Sequence, residues 1–200
     1  DIMIRPEITY EDLGEIVESG IGGILLFGAT EEENKDAHGY ASFDPNGVVQ
    51  QAIHKFYLNR KRGIPFQHII GYGNFYGRDF FINEYTLIPR PETEVLIDIV
   101  KGKYVKKALD IGTGSGILAI TLSIEKIANE VLATDISSFA IEVAEKNKIH
   151  FQTPNVSFKL HNILTESFNE KYDLILSNPP YITLSEYSNL TKQIKDYEPK

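Results

Sequence analysis

The sequence contains no cysteine, which rules out disulfides, thiolate metal sites and thiol nucleophiles. Its histidines are His38, His54, His68, His150 and His161. No two of them form a His-x-x-x-His pair, so a metal cluster is not expected. No apolar run approaches the roughly 18 residues of a membrane-spanning helix, and no signal peptide is visible. Basic charge is also short. The chain has 20 Lys and Arg against 28 Asp and Glu, giving a net charge of −8 and a pI near 5.2. That balance argues against broad electrostatic binding to nucleic acid or an anionic membrane. The setting expected is soluble, reducing and cytoplasmic, with no membrane partner and no direct nucleic-acid partner. The chain opens on Asp1 rather than Met, so its natural start can lie further upstream.

What is present is ordinary for a globular fold. Hydrophobic residues make up 42% and charged residues 24% of the chain, both common values. The length of 200 residues allows one α/β domain with a real core, or one domain and part of a second. "EDLGEIVES" (11–19) has weak helical spacing and stops at Gly20. "IGGILLFG" (21–28) reads as a short buried strand, because an unbroken apolar run between glycines suits a parallel sheet. "ATEEENKDAHGY" is a polar loop, for which a solvated face is the ordinary reading. "FDPNG" (43–47) is turn chemistry, followed by helical spacing from Val48 to about Asn59 that "RGIP" breaks.

"FYGRDFFINEY" (75–85) carries strand-favouring aromatics around Gly77 and predicts a hairpin. "LIPRPETE" (87–94) is a rigid extended entry, since each proline disfavours helix at the residue before it. A helix resumes at "ETEVLIDIV". After that, strands and helices alternate: "KALDIG", helix "GILAITLSIEKIA", "EVLATD", helix "SSFAIEVAEKNKIH", "VSFKL" and "YDLILS". Such alternation predicts βαβ units and a parallel, Rossmann-like α/β sheet. The basic-aromatic run "HKFYLNRKRG" is too short, in so acidic a chain, to outweigh a solvated helix face.

Three motifs carry chemistry. "LDIGTGSG" places Asp110, Gly112, Gly114 and Gly116 at a strand-to-helix junction. Glycines there let the backbone turn tightly and approach a ligand closely. An ordinary Gly-rich βα turn would look similar, but two details are sharper. The spacing is not the dinucleotide G-x-G-x-x-G. An acid also sits two residues before the first glycine, where it would repel a pyrophosphate but could hold a cationic amino-acid end. S-adenosylmethionine has that cation and lacks the phosphates. Asp135 ends the next strand, where a carboxylate can accept both hydroxyls of a ribose; its plainer role would be to cap the helix near Ser137.

The third motif is "NPPY" (178–181). Pro-Pro suffices to stop a strand, yet the flanking amide has a chemical use. An NH2 group on a carbonyl or aromatic ring is a poor nucleophile, because its lone pair is delocalised. Methylating it needs acceptors for its N–H hydrogens that strengthen as positive charge develops on nitrogen. The Asn178 side-chain carbonyl and the Pro179 backbone carbonyl can supply two. A carboxylate would cost more to bury. The Tyr181 ring can pack on a flat substrate group.

In the order and spacing of "RKRGIPFQHIIGYGNFYG", "LIPRPETE", "DIGTGSG", "ATDIS" and "LSNPPY", residues from about 55 to 200 resemble the protein-(glutamine-N5) methyltransferases of the HemK/PrmC family. "NPPY" alone is shared with nucleic-acid amino-methyltransferases acting on adenine-N6 or guanine-N2, whereas "IPRPETE" after a hairpin is far more specific. The resemblance implies S-adenosylmethionine as methyl donor. It implies as substrate the glutamine of the Gly-Gly-Gln loop in class-1 peptide-chain release factors. Asn178, Pro179 and Tyr181 would be catalytic. Asp110, Gly112, Thr113, Gly114, Gly116, Asp135, Asn162 and Asn178 would bind cofactor, and Pro91, Thr93 and Pro180 would line the substrate site. His161-Asn162 stands where the family usually has an acid near the adenine. The chain stops at "DYEPK", with only the first four strands of the family's sheet. A cofactor-binding fragment without activity is therefore a rival of a different class.

Residues 20–53 resemble instead a fragment of porphobilinogen synthase (5-aminolaevulinate dehydratase), through "LLFG", the acidic loop and "DPNGVVQQAI". No catalytic residue of that family falls in this stretch. The organisation expected is a foreign βα arm over 1–54, a connecting helix and hairpin over 55–86, and a partial methyltransferase domain over 87–200.

Overall fold

The computed structural model describes residues 55, 56 and 58–179. The strand expected at 21–28, most of the helix expected from Val48 to about Asn59, most of the join near Ile53 to Tyr57, and Pro180 and Tyr181 lie outside the described residues. The chain divides into two units, Asp1–Ile69 and Ile70–Lys200. In the first, residues 58–61 are helical, and the break expected at "RGIP" follows at once. Gly63 takes a φ of 89°, and Arg60 Nη1 donates to the Ile64 carbonyl at 2.6 Å. Helix α1 (Phe66–Ile70) comes next.

The second unit opens with strands β1 (Tyr72–Phe75) and β2 (Arg78–Phe81), paired antiparallel with Phe75 opposite Arg78. The two loop residues, Tyr76 and Gly77, have φ of 52° and 73°. This is the conformation of a type I′ turn, whose twist matches that of the strands it joins. Helix α2 (Pro91–Val100) begins with proline at its first position, where the missing N–H costs nothing. It buries Thr93, Ile97 and Val100, one stripe at i, i+4 and i+7. The hairpin and this entry segment fit closely. A Cβ on Gly73 would come within 2.6 Å of Pro89 Cδ, so only glycine lets the proline pass.

Then come β3 (Val105–Ile111), α3 (Ile117–Ile124), β4 (Ala128–Asp135), α4 (Ser138–Phe151), β5 (Val156–Leu160) and β6 (Leu174–Ser177). The four strands β3 to β6 form one parallel sheet in the order β5-β4-β3-β6. β5 is where "VSFKL" placed it. α3 stops earlier than its apolar pattern suggests: Lys126 turns left-handed at φ 56°, and β4 starts at Ala128. Successive strands run outward from β3 on one side, and β6 returns to its other side. Such a reversal of strand order marks the crevice where open α/β sheets bind ligands, at the carboxyl ends of the strands. The core around the sheet includes Phe75, Phe80, Ile97, Leu109, Ile120, Leu122, Val131 and Val156, all essentially inaccessible to solvent.

A buried polar residue helps tie the hairpin to this core. Asn147 lies on the buried stripe of α4 with Ala140, Val143 and Ala144, in a slot that helical spacing reserves for an apolar side chain. It accepts from Phe81 N–H at 2.8 Å, donates to the Phe81 carbonyl at 2.9 Å, and donates to the Ser115 carbonyl at 2.8 Å. Asn147→Ala would strip all three bonds and leave polar backbone groups unsatisfied. We expect it to lower unfolding free energy by on the order of 2–4 kcal/mol, measured by urea titration. A loss below about 0.5 kcal/mol would show that water replaces the amide at no cost.

Candidate functional site at the carboxyl edge of the sheet

The sheet's parallel register gathers the candidate residues from four strand ends. Ile111 pairs with Thr134 on one side and Ser177 on the other. Gly112 and Asn178 therefore each stand one residue past a directly paired couple, on strands roughly 4.8 Å apart. Ser177 Oγ donates to the Ile111 carbonyl at 2.8 Å and closes this junction. Asp135 ends β4 opposite Leu160, the last residue of β5, and Asn162 follows two residues on.

Asp110 is wholly buried near the end of β3. Its Oδ2 accepts from the Thr113 hydroxyl at 2.6 Å. Its Oδ1 has no hydrogen-bond partner among the described residues. Burial pushes this carboxyl up to about 6; the Thr113 hydroxyl and the Ala119 N–H only partly offset the effect, and the Asp135 charge adds to it. A buried carboxylate with an idle oxygen is a place where a cation would be stabilised.

The glycines divide their work. All three are left-handed, with φ of 71°, 56° and 83° at Gly112, Gly114 and Gly116, so any side chain would strain the loop. At Gly116 a Cβ would also press on Ile120, Phe158 and Ala144 at 3.1–3.2 Å, so this glycine seats α3 against its neighbours. At Gly112 and Gly114 a Cβ would meet nothing among the described residues within 4 Å, which leaves room there for a ligand.

Asp135 has a more structural part than sequence suggested. Its Oδ2 accepts from Gly114 N–H at 2.9 Å and its Oδ1 from Ser137 N–H at 2.9 Å. The cap of α4 is Ser137, whose Oγ accepts from Ala140 N–H at 3.3 Å. Asp135 thus clamps the glycine loop to the next strand, and its oxygens retain lone pairs for further donors. Asn162 also builds its own loop: its Oδ1 accepts from Leu164 N–H at 3.0 Å, and its N–H donates to Glu166 at 3.0 Å.

Asn178 donates from Nδ2 to Thr93 Oγ1 at 3.0 Å, which brings the entry helix to the strand end. Pro91 is exposed at the start of α2 and Pro179 is exposed beside Asn178. Three further residues were not singled out as site or packing partners by the sequence. One is Glu94, whose carboxylate accepts from Tyr76 N–H at 2.6 Å and holds α2 to the hairpin. Another is Ser177. The third is Asn147, whose bond to Ser115 supports the glycine loop from below. The available signal for Asn147 was a polar residue in an apolar helical slot. No cluster of metal-ligating side chains exists among the described residues, and no described helix is long and apolar enough to cross a membrane.

A family model described as the methyltransferase small domain matches residues 91–195, from the first residue of α2 through the motif at Asn178. The chain belongs to the methyltransferase small domain family. It is 41% identical over 150 residues to the release factor glutamine methyltransferase of Flavobacterium psychrophilum, covering 71% of this chain and 52% of that relative. It is likewise 41% identical over 150 residues to the Bacillus subtilis protein of the same name, covering 70% and 51%. A solved structure of ribosomal protein L11 methylase from Lactobacillus delbrueckii subsp. bulgaricus is 31% identical, with a TM-score of 0.40, covering 50% of this chain and 51% of that one. The chain spans about half the length of the curated relatives it matches. The likeness read from "LIPRPETE" and "LSNPPY" is thereby borne out. None of these matches points to porphobilinogen synthase.

Burial of Asp110 has a measurable signature in the ligand-free protein. Its folded value of about 6 lies above the ordinary 3.8, so between those limits the folded chain keeps a proton that the unfolded chain has released. The Asp110 contribution to stability should fall by roughly 3 kcal/mol as pH rises from about 4 to above 6. Asp110→Asn should remove that decline and be the more stable form at pH 8. Equal slopes for the two proteins in denaturant titrations across this range would contradict the assignment.

Proposed function

We propose that this chain carries the catalytic part of an S-adenosylmethionine-dependent methyltransferase. Its substrate is the side-chain amide nitrogen of glutamine in the Gly-Gly-Gln loop of class-1 release factors. The observation that carries the reading is the position of a neutral amide, Asn178, one residue beyond the β3–β6 pairing, beside a glycine loop with room for a ligand. The names of the relatives support the substrate. The residues fit the cofactor. Asp110 has an oxygen with no hydrogen-bond partner among the described residues to offer a cation, and Gly112 and Gly114 leave room for close approach.

When bound, S-adenosylmethionine supplies an electrophilic methyl group on a sulfonium. The remaining work falls to side chains of this protein. Asp110 holds the ammonium of the amino-acid end, and that charge draws its carboxyl into the ionised form. Asp135, already anchored to Gly114 and Ser137, would accept the ribose hydroxyls, and Asn162 would be the residue nearest the adenine. Asn178 Oδ1 and the Pro179 carbonyl accept the two N–H groups of the target amide. This fixes its plane and favours the charge that grows on nitrogen. By the family resemblance Pro91 would line the approach, and Pro180 and Tyr181, which lie outside the described residues, would face the flat amide. A nucleic-acid amino-methyltransferase would share "NPPY", but a net charge of −8 disfavours the basic groove it would need.

Two substitutions separate cofactor binding from chemistry. Asp135→Ala should weaken S-adenosylmethionine binding by about 1.5–3 kcal/mol, read by calorimetry; unchanged affinity would confine Asp135 to holding the loop. Asn178→Ala, in the full-length protein, should lower methyl transfer to a Gly-Gly-Gln release factor about a hundred- to thousand-fold, far more than it lowers cofactor affinity. A Gly-Gly-Ala release factor is the control. Near-wild-type turnover would reduce Asn178 to part of a strand stop, and methylation of nucleic acid with the release factor ignored would transfer the site to the rival chemistry.

A further inference from the structure

A primary amide has nearly the same shape in either flip, but its two edges have opposite chemistry. If Asn178 turned its NH2 toward a substrate amide, two donors would face each other and the acceptor would be lost. Something must therefore choose the flip. In the structure the Asn178 NH2 donates to the Thr93 hydroxyl oxygen at 3.0 Å. A hydroxyl can pair with either edge; giving its own proton to a carbonyl of the preceding turn, as threonines in helices do, would leave it only an acceptor here and commit the Asn178 carbonyl edge to the other direction.

Thr93 is well placed for this and poorly explained otherwise. It is 95% buried on the stripe of α2 that carries Ile97 and Val100, where valine would serve packing as well. Its own N–H donates to the Arg90 carbonyl at 3.0 Å, fixing the first helical turn. Glu94, the next residue, accepts from Tyr76 N–H, and Pro89 rests on Gly73. The hairpin thereby sets the position of α2, and α2 sets the position of the hydroxyl.

We propose that Thr93 is a positioning residue that locks the flip of Asn178, and that the "PRPETE" segment acts on the chemistry through this hydrogen bond. The proposal rests on the proposed amide methylation and adds to it a physical reason for the two motifs to occur together. Asn178 touches the substrate; Thr93 acts through Asn178.

Thr93→Val keeps shape and burial but removes the hydroxyl, and Thr93→Ser keeps the hydroxyl. In the full-length protein, Thr93→Val should lower kcat about tenfold, with KM and cofactor affinity changed less than about twofold. Thr93→Ser should restore most of the rate. In an Asn178→Ala background, Thr93→Val should cost nothing further. Independently of activity, the Asn178 side-chain amide protons, assigned by their loss in Asn178→Ala, should lose protection from solvent exchange in Thr93→Val. An undiminished kcat in Thr93→Val would overturn the proposal, as would an equal loss in the Asn178→Ala background or unchanged amide exchange. If the release factor is not methylated at all, the proposed function falls, while the exchange measurement still decides the Thr93–Asn178 pairing.

Discussion

A carboxylate that the fold keeps dry is the constraint from which the site follows. Asp110 sits fully buried near the end of the central strand with one oxygen lacking a partner among the described residues. Desolvation makes its charged form costly, and the Thr113 hydroxyl relieves only part of that cost. The loop that follows is built around this acid. Thr113 turns back to it, both Gly112 and Thr113 donate their N–H to the Thr134 carbonyl at 2.8 and 2.9 Å, and Gly114 is tethered to Asp135. Binding a cation there would recover what folding gave up.

Parallel pairing then does the assembly. Because β4 and β6 flank β3 in register, residues far apart in sequence come to one edge without any long-range loop. Polar side chains placed in apolar helical slots fasten the surrounding layers to that edge. Asn147 does so from α4 toward the hairpin and the glycine loop, and Thr93 does so from α2 toward Asn178. Each is buried and paired, so each gives geometric specificity that an apolar residue of the same size could not.

Much of this was legible beforehand, for identifiable reasons. Strand β5 and the hairpin turn follow from local chemistry: β-branched and aromatic residues bounded by turn signals. The glycine loop and the asparagine before two prolines are short-range patterns with few other uses. The early end of α3 was not legible, because "SIEKIA" continues an apolar helical pattern while the chain turns at Lys126 to enter β4. Nor were the partners of Asp135. Sequence poses ribose binding against helix capping, while the fold uses the carboxylate to tie a loop and gives the cap to Ser137. Contacts such as Thr93 to Asn178, separated by 85 positions, depend on how three elements pack, and no local pattern encodes them.

If Asp110 waits partly protonated for the ammonium of S-adenosylmethionine, the protons exchanged on binding report it. Calorimetric titration of S-adenosylmethionine in buffers of different ionisation enthalpy counts the protons exchanged on binding. Release of roughly half a proton is expected at pH 6, falling toward zero by pH 7, below the range where the cofactor's own α-amino group titrates, with no such release in Asp110→Asn. Binding with no proton exchange at pH 6 in the unsubstituted protein would contradict it.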